Sequence, residues 1–227
     1  MNTIRIHDVW KELRFISDVN AFDQECAKTI LPVLEKELKA REVKRMKNLL
    51  LRSGLKRIKR LEDFDWKFNP KVPREKVMSL AETRWNEIVK NAVFIGTSGI
   101  GKSHLADGII FRAIEQGVPA TRITCYDLIE KLKQSRNKSA LLTYYSTVKL
   151  LCLDELGYVF PSTENANDIF QIVSRRSEVA STIVTTNLIP AEWGKIFEGA
   201  TATAILDRLS LNGKFLAWDG PSYRDKK

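Results

Sequence analysis

A short segment near the middle of the chain constrains the fold more than any other feature of the sequence. Gly96-Thr-Ser-Gly-Ile-Gly-Lys-Ser103 fits the pattern G-x-x-x-x-G-K-[ST] at every fixed position. The apolar run Ala92–Ile95 before it is typical of a strand, and the run His104–Ile114 after it is typical of a helix. Glycines in such a loop let several main-chain N–H groups point at one phosphate. The segment therefore predicts a phosphate-binding loop between a strand and a helix.

The residue types of this loop predict how a nucleoside triphosphate is held. We expect Lys102 to reach the β- and γ-phosphates and the Ser103 hydroxyl to ligate Mg²⁺. The following helix directs its positive end at the same place, so the main-chain N–H of His104 is also expected to face a phosphate, while its side chain has no assigned role. The sequence contains no legible motif that distinguishes ATP from GTP. The expected nucleotide contacts are Gly96, Thr97, Ser98, Gly99, Ile100, Gly101, Lys102, Ser103 and His104.

An acidic pair closes a second apolar run. Lys149-Leu-Leu-Cys-Leu-Asp-Glu155 is typical of a strand that is buried on both faces and ends in two carboxylates. Asp154 lies where a carboxylate associated with Mg²⁺ is needed, and Glu155 can polarise the attacking water. Two adjacent acids alone carry little information. Their position at the end of an apolar strand, after a phosphate loop, favours a catalytic role over a structural one.

Two further polar residues have both a functional and a structural interpretation. Asn187 ends the run Ser181-Thr-Ile-Val-Thr-Thr-Asn187, so it could hold the attacking water or the γ-phosphate at the sheet edge where ligands bind. It could equally form a turn before Pro190. Arg208 could complete the site of a neighbouring subunit, or it could form a surface ion pair with Asp207 or another acid. Taken alone, the residues favour the ion pair.

Strand and helix signals alternate through the second part of the chain. Repeated β-α-β order implies a parallel sheet with helices on both faces, which is the α/β class of P-loop NTPases. We find no internal repeat in the sequence. The predicted strands are Ala92–Ile95, Thr121–Cys125, Lys149–Leu153, Ser181–Thr185 and Lys214–Trp218.

The N-terminal part has a different pattern, and we place the boundary near residue 70. Residues 25–53 have apolar positions at helical spacing and are followed by Gly54, which is a natural helix stop. Phe64, Trp66 and Phe68 alternate with polar residues as in a short extended segment, which could pack on a nucleotide base or pin the linker to the core. Residues 75–90 are expected to form another helix. The sequence thus predicts a small helical domain and linker over residues 1–70 and an ATPase domain over residues 71–227.

The net charge of +9 is concentrated in one segment. Residues 41–60 contain nine lysines and arginines against the single acid Glu42, so they hold nearly the whole excess. Such a segment favours a polyanionic partner, most often nucleic acid, although a solvated helix face explains it equally well. The basic residues are Arg41, Lys44, Arg45, Lys47, Arg52, Lys56, Arg57, Lys59 and Arg60.

Composition argues against several other classes of protein. No apolar run approaches the roughly 18 residues that a membrane-spanning helix needs, and the N-terminus has no secretion signal. Cys26, Cys125 and Cys152 lack metal-site spacing, and two histidines are too few for a usual zinc site. We therefore expect a cytoplasmic protein that does not enter a membrane.

Together these segments resemble the IstB-like and DnaC-like branch of the AAA+ ATPases, from about Arg41 to Arg224. The most discriminating features are Asp-Glu-Leu-Gly-Tyr158 and the spacing of Asn187 and Trp193. Members of this branch bind ATP and Mg²⁺, assemble as oligomers on DNA and help an insertion-sequence transposase; close relatives load replicative helicases. The resemblance also covers Leu61-Glu-Asp-Phe-Asp, Gly-Ile-Gly-Lys-Ser-His-Leu-Ala106, Ile-Phe-Gln-Ile-Val-Ser-Arg-Arg176 and Ala-Ile-Leu-Asp-Arg208.

The resemblance implies further roles for individual residues. Asn187 becomes the expected sensor, Arg208 the expected arginine finger, and Arg224 a C-terminal arginine near the nucleotide. The segment Asp127–Lys138 corresponds to a region that can face duplex DNA, through Lys131, Lys133, Arg136 and Lys138. Two features depart from the family: only 19 residues follow Arg208, too few for a helical lid, and the loop Val159–Asn167 differs in composition.

Two other classes of protein compete with this interpretation. A small-molecule P-loop kinase would share the phosphate loop, but the adjacent acids and the basic extension argue against it. A module that holds ATP without hydrolysing it is disfavoured by the intact Glu155.

Overall fold

The computed structural model describes residues 2–16 and 24–225, and the chain divides into two compact units, Met1–Asn48 and Leu49–Lys227. The first unit contains helix α1 (Asn2–Glu12) and most of helix α2 (Gln24–Arg52). Its core lies between them and consists of Ile6, Val9 and Leu13 with Ala27, Leu31 and Leu34. Helix α2 confirms the helix predicted over residues 25–53. None of the described helices is long and apolar enough to cross a membrane.

The second unit alternates strands and helices, as the sequence predicts. Short 3-10 helices at Pro190–Lys195 and Tyr223–Asp225 complete it. The other elements are α3 (Arg74–Ala81), β1 (Asn91–Ile95), α4 (Lys102–Glu115), β2 (Ala120–Thr124), α5 (Cys125–Gln134), α6 (Lys138–Thr147), β3 (Leu150–Leu156), α7 (Thr163–Arg176), β4 (Ser181–Thr186), α8 (Gly199–Ser210) and β5 (Gly213–Ala217).

The five strands form one parallel sheet in the order β2-β3-β4-β1-β5. Helix α4 packs on one face of the sheet together with α3, while α5 to α8 contribute the larger core on the other face. All residues of β1 and β4 are buried, as expected for central strands covered on both sides. The carboxyl ends of β1, β3 and β4 therefore meet at one edge, which positions the phosphate loop, the acidic pair and Asn187 together.

Three local predictions are wrong. The helix expected over residues 75–90 ends at Ala81, because the Thr83 hydroxyl bonds the carbonyl of Ser79 and the chain then turns to bury Trp85. Cys125 begins α5 instead of ending β2, since the Thr124 side chain caps that helix by accepting from the Asp127 N–H. The aromatic segment that contains Phe64 forms consecutive turns and is not extended, because the carboxylate of Asp65 accepts main-chain N–H groups that follow it.

The compact units divide at Asn48 and Leu49, whereas the sequence places a boundary near residue 70. The segment between these positions packs on the second unit through Leu61 and Phe64, which are both buried. The carbonyl of Ser53 also accepts the N–H of Arg122 in β2 at 2.7 Å. The linker is therefore structurally part of the second unit.

Arg176 at the end of α7 is the largest charged side chain in the core and is 1% exposed. Its guanidinium donates to the carbonyls of Tyr145 at 2.7 Å and Val148 at 2.8 Å, and also to that of Ser181. The Nε–H donates to the Thr182 hydroxyl at 3.0 Å. One side chain thus joins the end of α6, the start of β3 and the start of β4.

We predict that Arg176→Met lowers the free energy of unfolding by about 3 kcal/mol or more, because it leaves buried carbonyls without donors. Urea denaturation followed by circular dichroism measures the change. The control is Arg175→Met at the adjacent, exposed position. Equal denaturation midpoints for the two variants would contradict the structural role of Arg176.

Candidate nucleotide site

The phosphate loop surrounds a cavity of about 220 Å³ at the carboxyl end of β1. Gly101 caps α4 in the left-handed conformation with φ of 98°, and a Cβ atom there would lie 2.6 Å from the Phe64 ring. Glycine is therefore required both for the turn and for the close approach of the linker. The cavity is lined by Lys59, Ser98, Gly99, Gly101, Lys102, Ser103, His104, Glu155, Tyr158, Thr185, Tyr223 and Arg224.

Lys102 is folded against its own loop. Its ammonium donates to the carbonyls of Gly96 and Thr97, at 2.7 Å in each case. Burial lowers the pKa of Lys102 below its ordinary value, while the Asp154 carboxylate opposes that shift and the Arg224 charge adds to it. These contacts hold a cation at the centre of the loop. The side chain of Ile100, by contrast, is buried in the core.

Asp154 is fully buried and has three partners on three elements. Its Oδ1 accepts from the Ser103 hydroxyl at 2.8 Å and from the Thr185 hydroxyl, and its Oδ2 accepts from Arg122. The predicted metal residues Ser103 and Asp154 are thus in direct contact. Oxygen donors of this kind are the ligands that Mg²⁺ prefers, so the residues present fit the ion. The sequence analysis did not identify Arg122 and Thr185, although a charged residue inside a predicted strand, as Arg122 is in β2, indicates a buried polar partner.

Glu155 lies at an irregularity in the pairing of β3 with β4, between Leu153 and Leu156. Its φ is 61°, which is unusual for a residue other than glycine. The Thr185 hydroxyl accepts the Glu155 N–H at 3.0 Å and so stabilises this conformation. A regular strand would turn Glu155 to the face opposite Asp154, but the bulge directs it into the cavity.

A chain of alternating charges leads from the linker to Asp154. The Lys59 ammonium lies 2.7 Å from Asp107 Oδ2, and Arg122 Nε lies 3.4 Å from Asp107 Oδ1. Burial raises the pKa of Asp107 above its ordinary value, and the hydrogen bond from Lys59 opposes that shift. Lys59, which the sequence predicts as a DNA contact, has its ammonium against a buried carboxylate beside the nucleotide cavity.

The segment after β5 closes one side of the cavity. Trp218 N–H donates to the carbonyl of Ile95, its indole donates to that of Ile100 at 3.3 Å, and Tyr223 N–H donates to that of Gly99 at 2.8 Å. Arg224 follows directly and lines the cavity. In the described part of the chain, one strand and a single 3-10 turn follow Arg208.

The ring of His104 also lines the cavity. Its Nε2 lies 3.3 Å from the carbonyl of Arg60, and the edge of the ring meets the ring of Phe64. Of the two alternatives for the aromatic segment, these contacts favour the one in which it pins the linker to the core.

Asn187 and Arg208 lie at opposite ends of the sheet. Asn187 directly follows β4 and is exposed at the carboxyl edge, next to Gly157. The carbonyl of Arg208 accepts from the side chain of Asn91, the first residue of β1, at 3.2 Å. A strand of this length spans roughly 13 Å, so Arg208 cannot reach the phosphate loop of its own chain.

The predicted DNA contacts differ in their environments. In the first unit, Lys44, Arg45 and Lys47 are exposed and Arg41 pairs with Glu37 at 2.6 Å. In the second unit, the exposed members are Arg52, Lys56, Arg57, Arg60, Lys131, Lys133 and Arg136.

Besides Lys59, three of these basic residues have side-chain partners among the described residues of the second unit, and one of them is Lys133, whose ammonium lies 3.4 Å from Glu130 Oε1. Arg60 lies over the ring of Phe111, with its guanidinium carbon 5.1 Å from the ring centroid.

The Lys138 ammonium lies 2.8 Å from a carboxylate oxygen of Glu164 and 2.8 Å from one of Asp168. Because these carboxylates compensate its charge, Lys138 is less suited to contact DNA than its exposed neighbours.

Comparison with known proteins gives the same family as the motifs. Residues 12–227 match the family described as IstB-like ATP binding protein. A protein of insertion sequence IS232 from Bacillus thuringiensis subsp. berliner is 32% identical over 87% of this chain and 81% of its own length. A protein of insertion sequence IS21 from Pseudomonas aeruginosa is 35% identical over 86% of this chain and 75% of its own.

The solved structure of DnaI has a similar fold. It superimposes with a TM-score of 0.61 and 22% identity, over 78% of this chain and 93% of that one. At this identity the likeness concerns the fold alone. The predicted fold class, a parallel sheet flanked by helices, is confirmed.

We predict that Lys102→Ala lowers the affinity for Mg·ATP by roughly 100-fold, because two charge-assisted hydrogen bonds to phosphate are lost. Isothermal titration calorimetry measures the affinity, and thermal melting verifies that the variant is folded. Lys149→Ala, which removes an exposed lysine next to the start of β3, is the matched control. Unchanged affinity in Lys102→Ala would remove this loop from nucleotide binding.

Proposed function

Since the chain belongs to the IstB-like ATP binding protein family, we propose that it is an ATPase that oligomerises on duplex DNA and assists an insertion-sequence transposase. The observation that carries the ATPase proposal is the contact of Ser103 with the buried Asp154, because Ser103 lines one cavity together with Lys102 and Glu155. A glycine-rich loop, a lysine, a hydroxyl and two carboxylates at one sheet edge are the groups that phosphoryl transfer requires.

The geometry supports a division of labour between the two acids. The Ser103 hydroxyl and the buried Asp154 would hold Mg²⁺, which supplies positive charge to the phosphate oxygens when it is bound. Glu155 is exposed in the cavity and would take a proton from water as the water oxygen bonds to the γ-phosphorus. The bond between the γ-phosphorus and the bridging oxygen breaks, and ADP leaves. Lys102 and the loop N–H groups stabilise the charge that develops.

Arg208 supports an assembly of several copies. It lies at the amino end of β1, away from the cavity of its own chain, so it would act on a triphosphate bound by a neighbouring copy. Turnover should then rise when subunits assemble on DNA. Asn187 is proposed to orient the water at the carboxyl edge, and Arg224 to contact the nucleotide from its own chain.

Charge supports DNA as the polyanion that organises the assembly. Exposed basic residues follow α2 at Lys56 and Arg57, and a second group lies on α5 at Lys131 and Lys133. Each could neutralise a backbone phosphate without reading sequence. Lys59 and Lys138 are left out of this proposal because the buried carboxylates of Asp107 and Asp168 already pair with them.

The insertion-sequence relatives favour a transposase as the protein partner, whereas a DnaC-like role would require a replicative helicase. A binding assay with purified candidates separates the two. Retention of the helicase and not of the transposase would replace the transposition role.

We predict that Glu155→Gln keeps its affinity for ATP, lowers turnover by roughly 100-fold or more and traps DNA-bound oligomers, because loading persists while water activation is lost. Steady-state hydrolysis and dissociation from labelled duplex measure the two effects. Glu82→Gln changes an exposed acid outside the cavity and serves as the control. Rapid dissociation of Glu155→Gln from DNA in the presence of ATP would contradict the scheme.

DNA affinity should fall steeply with salt, and Lys131→Ala should reduce the slope of log K against log salt by about 1, since each phosphate contact releases a counterion. Fluorescence anisotropy over a salt series measures the slope. Lys149→Ala removes an equal charge at the amino end of β3 and should leave the slope unchanged. Identical slopes for the two variants would exclude α5 from the DNA interface.

A further inference from the structure

The side chain of Arg208 is held by residues of α7. Its Nε donates to the Ser174 hydroxyl at 2.8 Å, and its guanidinium carbon lies 5.1 Å from the centroid of the Phe170 ring. Its Nη1 donates to the carbonyl of Ala204, one turn earlier on α8, at 2.9 Å. Phe170 and Ser174 are four residues apart, so they lie on the same face of α7. Both belong to the segment Ile169–Arg176, whose role the proposed function leaves open.

The partners of Arg208 leave its charge uncompensated. Among residues 2–16 and 24–225 the structure gives Arg208 no ion pair, although Asp207 and Glu178 line the same cavity of about 460 Å³. This observation disfavours the surface ion pair that the sequence alone suggested. Arg122, by contrast, bonds a carboxylate, and the donors of Arg176 are used by buried oxygens.

One edge of the guanidinium is available for an anion. The described hydrogen bonds use Nε and one hydrogen of Nη1, and none within the described residues uses Nη2. The remaining N–H groups of Nη1 and Nη2 form the planar fork that matches two oxygens of a phosphate. The ring of Phe170 restricts the guanidinium without neutralising it, because a cation–π contact leaves its N–H groups free.

We propose that Phe170 and Ser174 are positioning residues that hold Arg208 ready to contact the γ-phosphate of a triphosphate bound by a neighbouring copy of this chain. The inference rests on the proposed function, in which Arg208 acts between subunits. A long, flexible arginine loses conformational entropy when it is fixed for catalysis, and contacts made before assembly reduce that loss. Phe170 and Ser174 should therefore raise turnover without affecting the nucleotide site of their own chain.

The experiment mixes two chains that are each inactive. The donor carries Glu155→Gln, which keeps Arg208, and the acceptor carries Arg208→Ala, which keeps Glu155. Subunit mixing on duplex DNA should restore ATP hydrolysis, because the donor's arginine can serve the acceptor's site. Failure of the mixture to regain activity would refute the role of Arg208 between subunits, and the present inference with it.

Phe170→Leu or Ser174→Ala is then introduced into one chain at a time. In the donor, each should lower the recovered kcat by about fivefold at unchanged KM for ATP. In the acceptor, each should have no effect, because the acceptor contributes no arginine. Phe170→Tyr in the donor keeps the ring and should retain activity, and Gln171→Ala, at an exposed position on α7, is the neutral control.

The remaining outcomes overturn the proposal. If Phe170→Leu or Ser174→Ala lowers the recovered kcat equally in the donor and in the acceptor, α7 only supports the fold. A purely structural effect of this kind would also lower the stability of the variant. Full activity with Phe170→Leu and Ser174→Ala together in the donor would mean that Arg208 needs no positioning. Either result leaves the role of Arg208 between subunits intact. Failure of the positioning proposal is therefore distinguishable from failure of the proposed function.

Discussion

A single buried carboxylate joins the elements of the site. Asp154 is inaccessible to solvent, so both of its oxygens need partners within the protein, and they find them on α4, β2 and β4. Ser103, Arg122 and Thr185 are thereby fixed by the same carboxylate, which we propose holds Mg²⁺. The nucleotide cavity is not an addition to a finished fold, because removing Asp154 would take the hydrogen-bond acceptor away from Arg122 Nη2 and from two hydroxyls near the carboxyl edge of the sheet.

The environment of Glu155, the next residue, is the opposite of that of Asp154. Glu155 follows Asp154 in the same strand, yet it is exposed and lies in the left-handed region. A conformation of this kind costs on the order of 1 kcal/mol or more for a residue with a side chain, and the bond from its N–H to Thr185 offsets part of that cost. The bulge therefore gives the two adjacent acids different environments. Asp154 is buried and holds its neighbours in place, whereas Glu155 is exposed and can exchange protons with water.

Much of this site was predictable because its signals are local or follow from strand order. The phosphate loop is a contiguous motif, and parallel strands bring Asp154 to the same edge as Ser103 by topology alone. The pairing of Lys59 with Asp107 was not predictable, since nothing in a basic run indicates which member meets an acid far along the chain. The turns around Phe64 and the early end of α3 were missed for a related reason: burial of Trp85 and capping by Asp65 override periodicity.

The separation of the two ends of the sheet limits how copies of this chain can assemble. The nucleotide cavity opens at the carboxyl edge, whereas Arg208 lies at the amino end of β1. If the arginine of one copy serves the cavity of the next, the two contacting surfaces are different parts of the molecule. A two-fold interface satisfies this arrangement only if Arg208 and the cavity both lie within the one surface that the two copies share. A head-to-tail interface needs no such shared surface, and its repetition gives either a closed ring or an open helix.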